Sequence, residues 1–274
     1  MVTTQDFGWS QLARRAGLGW PEGTAWAMDR AAEAGFTGWE PLLRSGQDLQ
    51  RIAALARARG LALPSIFLTG ALHEPALAEA TLESMLDIAG AAAALGCRHV
   101  MVYPAPLDGA PADKSDRQLA IQAGRLNALG RALAERGLAL CYHPEEGEMR
   151  HAAREFHHML LATDPAAVRL CLDPDTVWRG AGQSALALMD IVTLHGGRVD
   201  ALHLRQSSGG IWAEDFGPGD LDYPALMAAL ARQGARPALI LELAREEGTP
   251  STLDPVEAHR RSLAYIHSQL MAGP

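Results

Sequence analysis

DKSDRQLAIQAGRLNALGRALAERG (113–137) runs without a linker into LALCYHPEEGE (138–148). The first piece is rich in Ala, Leu and Arg and ends in Gly137, the composition and stop signal of a helix. The second begins as a short apolar strand and ends in a crowd of polar residues. The same unit recurs along the chain. WPEGTAWAMDRAAEAG (20–35), with Pro near its start and Gly35 as a C-cap, leads into FTGWEPL; SGQDLQRIAALARARG (45–60) leads into LALPSIFLT. Residues 74–96 precede CRHVMVYPAP, 154–165 precede VRLCLDPDT, 184–197 precede VDALHLRQS, and 223–235 precede RPALILELARE; residues 254–271 close the chain as a helix. Taking DFGWS (6–10) as a weaker first strand gives about eight strand–helix units, the count of an α/β TIM barrel, (β/α)8. Continuous apolar strands such as ALILEL suit a parallel sheet covered by helices on its outer face. A doubly wound sheet is the alternative, weakened by the lack of a Gly-rich phosphate turn after the first strand. No linker or low-complexity tract divides the chain, so residues 1–274 are expected to form a single domain.

Composition narrows the function. The chain has 48% hydrophobic and 20% charged residues, a globular balance. A net charge of −8, with arginines scattered and not patched, argues against nucleic acid as a partner. Cys97, Cys141 and Cys171 are odd in number, far apart and set in apolar runs, which points to reduced, buried thiols in a cytoplasmic protein. The N-terminus lacks the pattern of a signal peptide, and no run of about 18 apolar residues is present to span a membrane.

In a barrel of this type, chemistry gathers at the C-terminal ends of the strands. Those positions hold Glu40 after the second strand, His143 with Glu145, Glu146 and Glu148 after the fifth, Asp173 after the sixth, His203 on the seventh and Glu242 on the eighth. Each has an ordinary reading. The glutamates of 145–148 could be a solvated loop, Asp173 could cap a turn with Asp175 the more usual cap, and His203 could be a satisfied core histidine. Glu242 is harder to set aside, because a carboxylate among leucines and isoleucine is costly to bury without a cation. The coincidence across successive strands favours one divalent-metal site, with Mn²⁺ first and Co²⁺, Mg²⁺ or Zn²⁺ also suited to carboxylate and imidazole donors.

At these residues the chain resembles the xylose-isomerase-like TIM barrel superfamily of sugar phosphate isomerases and epimerases. LCLDPDTVWRGAG resembles the family's strand-six Asp segment, VDALHLRQ its His-x-Lys-Asp strand, FGPGDLDYPALMAAL its Gly-x-Gly-x-x-Asp-Tyr/Phe stretch, and ALILELARE its closing strand. The resemblance implies metal ligands Asp173, His203 and Glu242, joined by one from 143–148. YHPEEGE set against the pattern His-Asn-His-x-x-Glu selects Glu148, with Glu145 second. The chain departs from the family in Arg205-Gln206, where Lys-Asp is common, and in Thr176, where a His is often found. YHPEEGE with the later LLATDP is also similar to inosose dehydratases.

The activity so implied is proton abstraction next to the carbonyl of a small sugar or cyclitol. Glu242 and Glu148 or Glu145 would act as base and acid, His143 and Arg205 would hold substrate oxygens, and Glu40 and Trp178 would line the pocket. An isomerase or epimerase is the first expectation. A keto-sugar or keto-cyclitol dehydratase is the alternative, and an inactive ligand-binding barrel the more remote one. A homo-oligomer is allowed for. The segment SSGGIWAEDFGPGD (207–220) is expected to be a mobile lid, its Trp212 and Phe216 covering the site.

Overall fold

Side-chain alternation along parallel strands decides what this molecule brings together. In the computed structural model, which describes residues 1–107 and 112–271, β1 spans Val2–Gln5, β2 Gly38–Glu40 and β3 Leu42–Leu43. These are followed by β4 (Ser65–Gly70), β5 (His99–Pro104), β6 (Ala139–Tyr142), β7 (Val168–Leu172), β8 (Val199–Leu204) and β11 (Ala238–Leu241). They form one nine-stranded parallel sheet in the order β2-β1-β11-β8-β7-β6-β5-β4-β3. Its two ends, β2 and β3, are consecutive in sequence and interrupted only by Pro41, which lacks the N–H a continuous ladder needs. The Phe67 N–H donates to the Pro41 carbonyl at 2.9 Å, so the split strand joins β1 on one side and β4 on the other. Nine strands therefore fill eight positions, and the sheet closes as a (β/α)8 barrel.

The barrel's interior has its own small apolar layer: Phe67, Met101, Cys141, Cys171, Ala201 and Ile240. A strand's side chains repeat every two residues, so the next inward position lies two residues on. From β4, β5, β6, β7, β8 and β11 in turn, that step places Thr69, Tyr103, His143, Asp173, His203 and Glu242 on one level at the C-terminal rim. The alternate residues, such as Leu202, Leu204 and Leu241, point outward into the larger core shared with the helices. All three cysteines are buried and unpaired.

The helices lie in the gaps between strands. They are α1 (Asp6–Arg15), α2 (Glu22–Ala34), α3 (Gly46–Arg57), α4 (Ala78–Ala93), α5 (Asp116–Ala134), α6 (Arg150–Ala162), α7 (Pro174–Gly180), α8 (Ala185–His195), α9 (Tyr223–Arg232) and α10 (Pro255–Tyr265). Gly35 closes α2 with a φ of 102°, a left-handed C-cap conformation that favours glycine. No helix among the described residues is long and apolar enough to cross a membrane.

Two expectations change. The first strand is Val2–Gln5, and Asp6 instead opens α1. The β-branched Val-Thr-Thr run suits a strand, and the Gln5 side chain accepts the Phe7 N–H at 2.6 Å, starting the helix there. Gly8, in that first helical turn, lies against the backbone that follows β11. A Cβ built on it would stand 2.3 Å from the Leu243 carbonyl oxygen. Phe216 is a core residue and not an apolar cover over the site: it is 1% exposed, and its N–H donates to Ser262 Oγ at 2.8 Å. The tip of the same segment is a short hairpin, β9 (Ser207–Ser208) with β10 (Ile211–Trp212).

Candidate active site

The rim residues are fixed first by their backbones. The His143 N–H donates to Val102 O at 2.9 Å, and the Glu242 N–H to Leu204 O at 3.0 Å, so both extend the barrel ladder. Asp173 is held differently. Its Oδ1 accepts the N–H groups of Asp175 at 3.0 Å and Thr176 at 3.1 Å, capping α7 behind Pro174. Asp173 is thus the cap. Asp175, the more ordinary candidate on sequence, instead accepts from Ser207 Oγ at 2.6 Å and Trp212 Nε1 at 2.9 Å.

Charged groups then interlock. His203 Nε2 lies 2.8 Å from Glu40 Oε1 and its Nδ1 2.9 Å from Glu242 Oε2. A neutral imidazole has one donor, and a ring between two carboxylates is served best by two. Burial opposes protonation of His203, but the Cys171 side chain, Glu40 and Glu242 favour it and the pKa is raised well above the ordinary value. Cys171 is itself held as a neutral thiol by burial, so the two carboxylates carry that effect. Arg205 reaches back along the rim, with Nη2 2.6 Å from Glu242 Oε1 and 3.2 Å from Asp173 Oδ2. Burial raises the Glu242 pKa, but Arg205 and His203 outweigh it and hold the carboxyl down at about 2. For Asp173 burial prevails over Arg205, and its pKa is raised.

The β6 end is organised by a turn. After His143 and Pro144 the chain enters a 3₁₀ turn at Glu146–Met149, capped reciprocally by Glu145 and Glu148. The Glu145 N–H donates to Glu148 Oε2 at 2.8 Å. This turns the Glu148 carboxylate inward beneath the loop, 4% exposed, and leaves Glu145 facing the cavity. The Glu145 side chain is 37% accessible, yet it sits recessed among protein atoms. Burial, with Glu242, Asp173 and Glu148 adding to it against Arg205, lifts its pKa to about 8. Burial and then Glu155 lift Glu148 to about 7. His143 is 1% exposed and kept neutral, its pKa lowered by burial and by His203, whose ring centre is 4.6 Å away.

These groups open onto a cavity of about 1000 Å³. His143, Glu145, Arg205 and Glu242 line its inner end with Tyr103, and Trp212 stands over it. Asp173, His203 and Glu148 lie just behind this surface. Glu40 is fully buried beneath His203 and does not face the cavity. Trp178, expected to line the pocket, packs instead into the apolar layer between barrel and helices. The sequence pattern did not mark Tyr103, offered Asp175 only as a cap, and set Ser207 in the lid segment. Tyr103 was open to discovery, since it stands two residues beyond the inward Met101. The link between Asp175 and Ser207 spans 32 positions and has no local signal.

The donors suit a divalent ion in kind. Both ring nitrogens of His143 are buried without a hydrogen-bond partner, and Asp173 Oδ2 has only the Arg205 guanidinium, 3.2 Å away. Such atoms are costly to leave unmet and are natural ligands. Their grouping is less simple than expected. Among the described residues, the set whose donor atoms all fall within 4.8 Å of one another is His143, Cys171 and His203. Asp173 and Glu242 are drawn toward Arg205 instead.

Fold and rim together define a (β/α)8 barrel with an acid- and imidazole-lined cavity at the C-terminal end of its strands. The family model for the xylose isomerase-like TIM barrel matches residues 28–269, and the chain belongs to that family. Among solved structures it is similar to D-allulose 3-epimerase from Methylomonas sp. in complex with D-allulose, at 18% identity and a TM-score of 0.74, over 98% of this chain and 96% of that one. It is similar to 3-keto-D-glucoside 4-epimerase from E. coli at 18% identity and a TM-score of 0.69, over 97% and 98% of the two chains. A sugar phosphate isomerase/epimerase from Parabacteroides distasonis aligns at 16% identity and a TM-score of 0.67, over 97% and 93%. No curated protein sequence matches. At these identities the structural likeness speaks to the fold alone.

Proposed function

We propose that this protein is a sugar isomerase or epimerase that moves a proton to and from the carbon next to a carbonyl in a small polyhydroxylated substrate. One observation carries the reading: Glu145 and Glu242 open onto the same cavity, Glu242 paired with Arg205 and His203 and Glu145 with neither. Glu242, with its pKa held at about 2, is an ionised acceptor at neutral pH. Glu145, raised to about 8, is mostly a protonated donor. Carboxyl pairs whose surroundings push their proton affinities apart divide naturally into base and acid. Proton removal on one side of a carbon and return from the other inverts that carbon; return at the neighbouring carbon isomerises the sugar.

The other residues support this chemistry. Neutral His143 and the Arg205 guanidinium lie beside the two carboxyls, within reach of substrate oxygens. Glu148 accepts the Glu145 N–H and fixes the loop that presents the acid. Trp212, anchored by Asp175, limits water at the inner end. Asp173 and Glu242, with His143 as the β6 donor, are the residues that would hold a divalent ion, and His203 would join them on giving up the ring proton it shares with a carboxylate. A bound ion would polarise the substrate carbonyl and stabilise the negative charge that forms when the proton leaves. The D-allulose complex of the Methylomonas enzyme and the 3-keto-D-glucoside substrate of the E. coli enzyme suggest the substrate class: a ketose or a keto-glycoside.

The same protonated Glu145 could deliver its proton to a departing β-hydroxyl, which makes a dehydratase the second reading. In deuterated water, a panel of ketoses, keto-glycosides and keto-cyclitols should include one whose α-hydrogen exchanges for deuterium. A rearranged sugar as product supports the isomerase or epimerase; an unsaturated ketone or its diketone tautomer supports the dehydratase. If no compound exchanges in the wild type under any metal condition, the proposal fails.

A further inference from the structure

We infer that Arg205 is an internal cation that competes with a divalent ion for Asp173 and Glu242 and must swing clear of them for the ion to bind. This rests on reading those two carboxylates as ion ligands, and goes beyond it in assigning Arg205 as their competitor.

The geometry of the guanidinium is the first argument. A single nitrogen, Nη2, serves both carboxylates, at 2.6 Å from Glu242 Oε1 and 3.2 Å from Asp173 Oδ2. A structural Arg–carboxylate pair usually presents two parallel N–H bonds to one acid. Arg205 does not, and its Nε is buried with no hydrogen-bond partner. One positive tip placed between two acids from separate strands does what a point cation would do there.

The second argument is that only the arginine side chain has to move. Asp173 is pinned through its other oxygen by two backbone N–H groups. Glu242 is pinned through its other oxygen by His203. Removing the guanidinium leaves Asp173 Oδ2 and Glu242 Oε1 in place and unmet. The Arg205 backbone is held as well, its carbonyl accepting from the Tyr223 hydroxyl. In the same position that meets the two acids, its Cζ lies 4.3 Å from the centre of the Trp212 ring, so the indole touches the charge that would move. Swinging off the two acids moves the charge out into the cavity, which Arg205 and Trp212 both line. Ion loading would then free the residue best placed to grip substrate oxygens, and the two binding events would help each other.

The test uses ions alone, so it does not depend on knowing the sugar. Arg205→Met should bind Mn²⁺ at least tenfold more tightly than wild type in isothermal titration, and Asp173→Asn should weaken binding by at least tenfold in either background. Titration of the wild type with Mg²⁺ should also shift tryptophan emission, and Trp212→Phe should lose that shift while still binding the ion. Equal or weaker Mn²⁺ binding by folded Arg205→Met overturns the inference, as does absence of binding in both proteins. Should Arg205→Met not fold, the emission experiment decides: saturable Mg²⁺ binding with no signal from Trp212 overturns it equally.

Discussion

Two pairs of carboxylates meet at the rim, and they are relieved of charge in opposite ways. Asp173 and Glu242, on β7 and β11, face cationic side chains: Arg205 touches both, and His203 holds the far oxygen of Glu242. Glu145 and Glu148, in the turn after β6, are joined to each other's backbone N–H groups, and burial favours keeping their protons. Ion pairing holds Glu242 as an anion, whereas at Asp173 burial still prevails over Arg205. Proton retention leaves a carboxyl group able to give and take a proton near neutral pH. A single cavity bordered by one of each has the parts for moving a proton across a substrate.

Breaking the paired side should cost most. Glu242→Ala leaves Arg205 and His203 buried without their shared acid, and unfolding free energy in urea melts should drop by about 3–5 kcal/mol. Turnover should fall about a thousandfold with it. A variant as stable as wild type would show that the pair does not hold the rim. Glu145→Gln sharpens the contrast from the other side. A neutral amide replaces a largely neutral acid, so stability should stay within about 0.5 kcal/mol while turnover falls by about 10²–10⁴-fold. Parallel loss of stability and rate would mean that Glu145 is structural.

The pH profile separates the two groups next. Glu145 must carry its proton to act as the acid, so the rate should hold steady at neutral pH and fall as pH rises through about 8. Glu242, held at about 2, adds no acid limb between pH 5 and 7. Glu145→Gln should lack the alkaline limb. The smallest effect concerns the cover. Trp212→Phe loses the bond to Asp175, worth about 1 kcal/mol, and should raise KM a few-fold with little change in kcat. An unchanged KM would detach Trp212 from substrate binding.

Much of this rim could be read in the sequence because a strand writes its inward face at every second residue. Asp173, His203 and Glu242 each follow an inward apolar residue by two, and Glu242 stood out as an acid in an aliphatic run. The same rule shows which residues face in, but not which partner each one meets. Arg205 was legible as a cation at the rim, yet its first contacts are Asp173 and Glu242. The order of Glu145 and Glu148 depended on a 3₁₀ turn whose reciprocal cap reverses their exposure, and three acids in four residues carry no mark of that. DFGWS failed as a strand because a helix cap at Gln5 outweighed its aromatic residues. Trp178 failed as a pocket residue because the cap at Asp173 sets the rotation of α7, which sends the indole into the helix layer.

Gly8 ties this chemistry to a place outside it. Its missing side chain lets the first turn of α1 rest on the Leu243 carbonyl, the peptide next to Glu242. A Cβ there would stand 2.3 Å from that carbonyl, so either α1 or the backbone after Glu242 would have to give way. For anyone reshaping the pocket, a single methyl at Gly8 is a way to press on the backbone beside Glu242 that touches neither substrate nor ion.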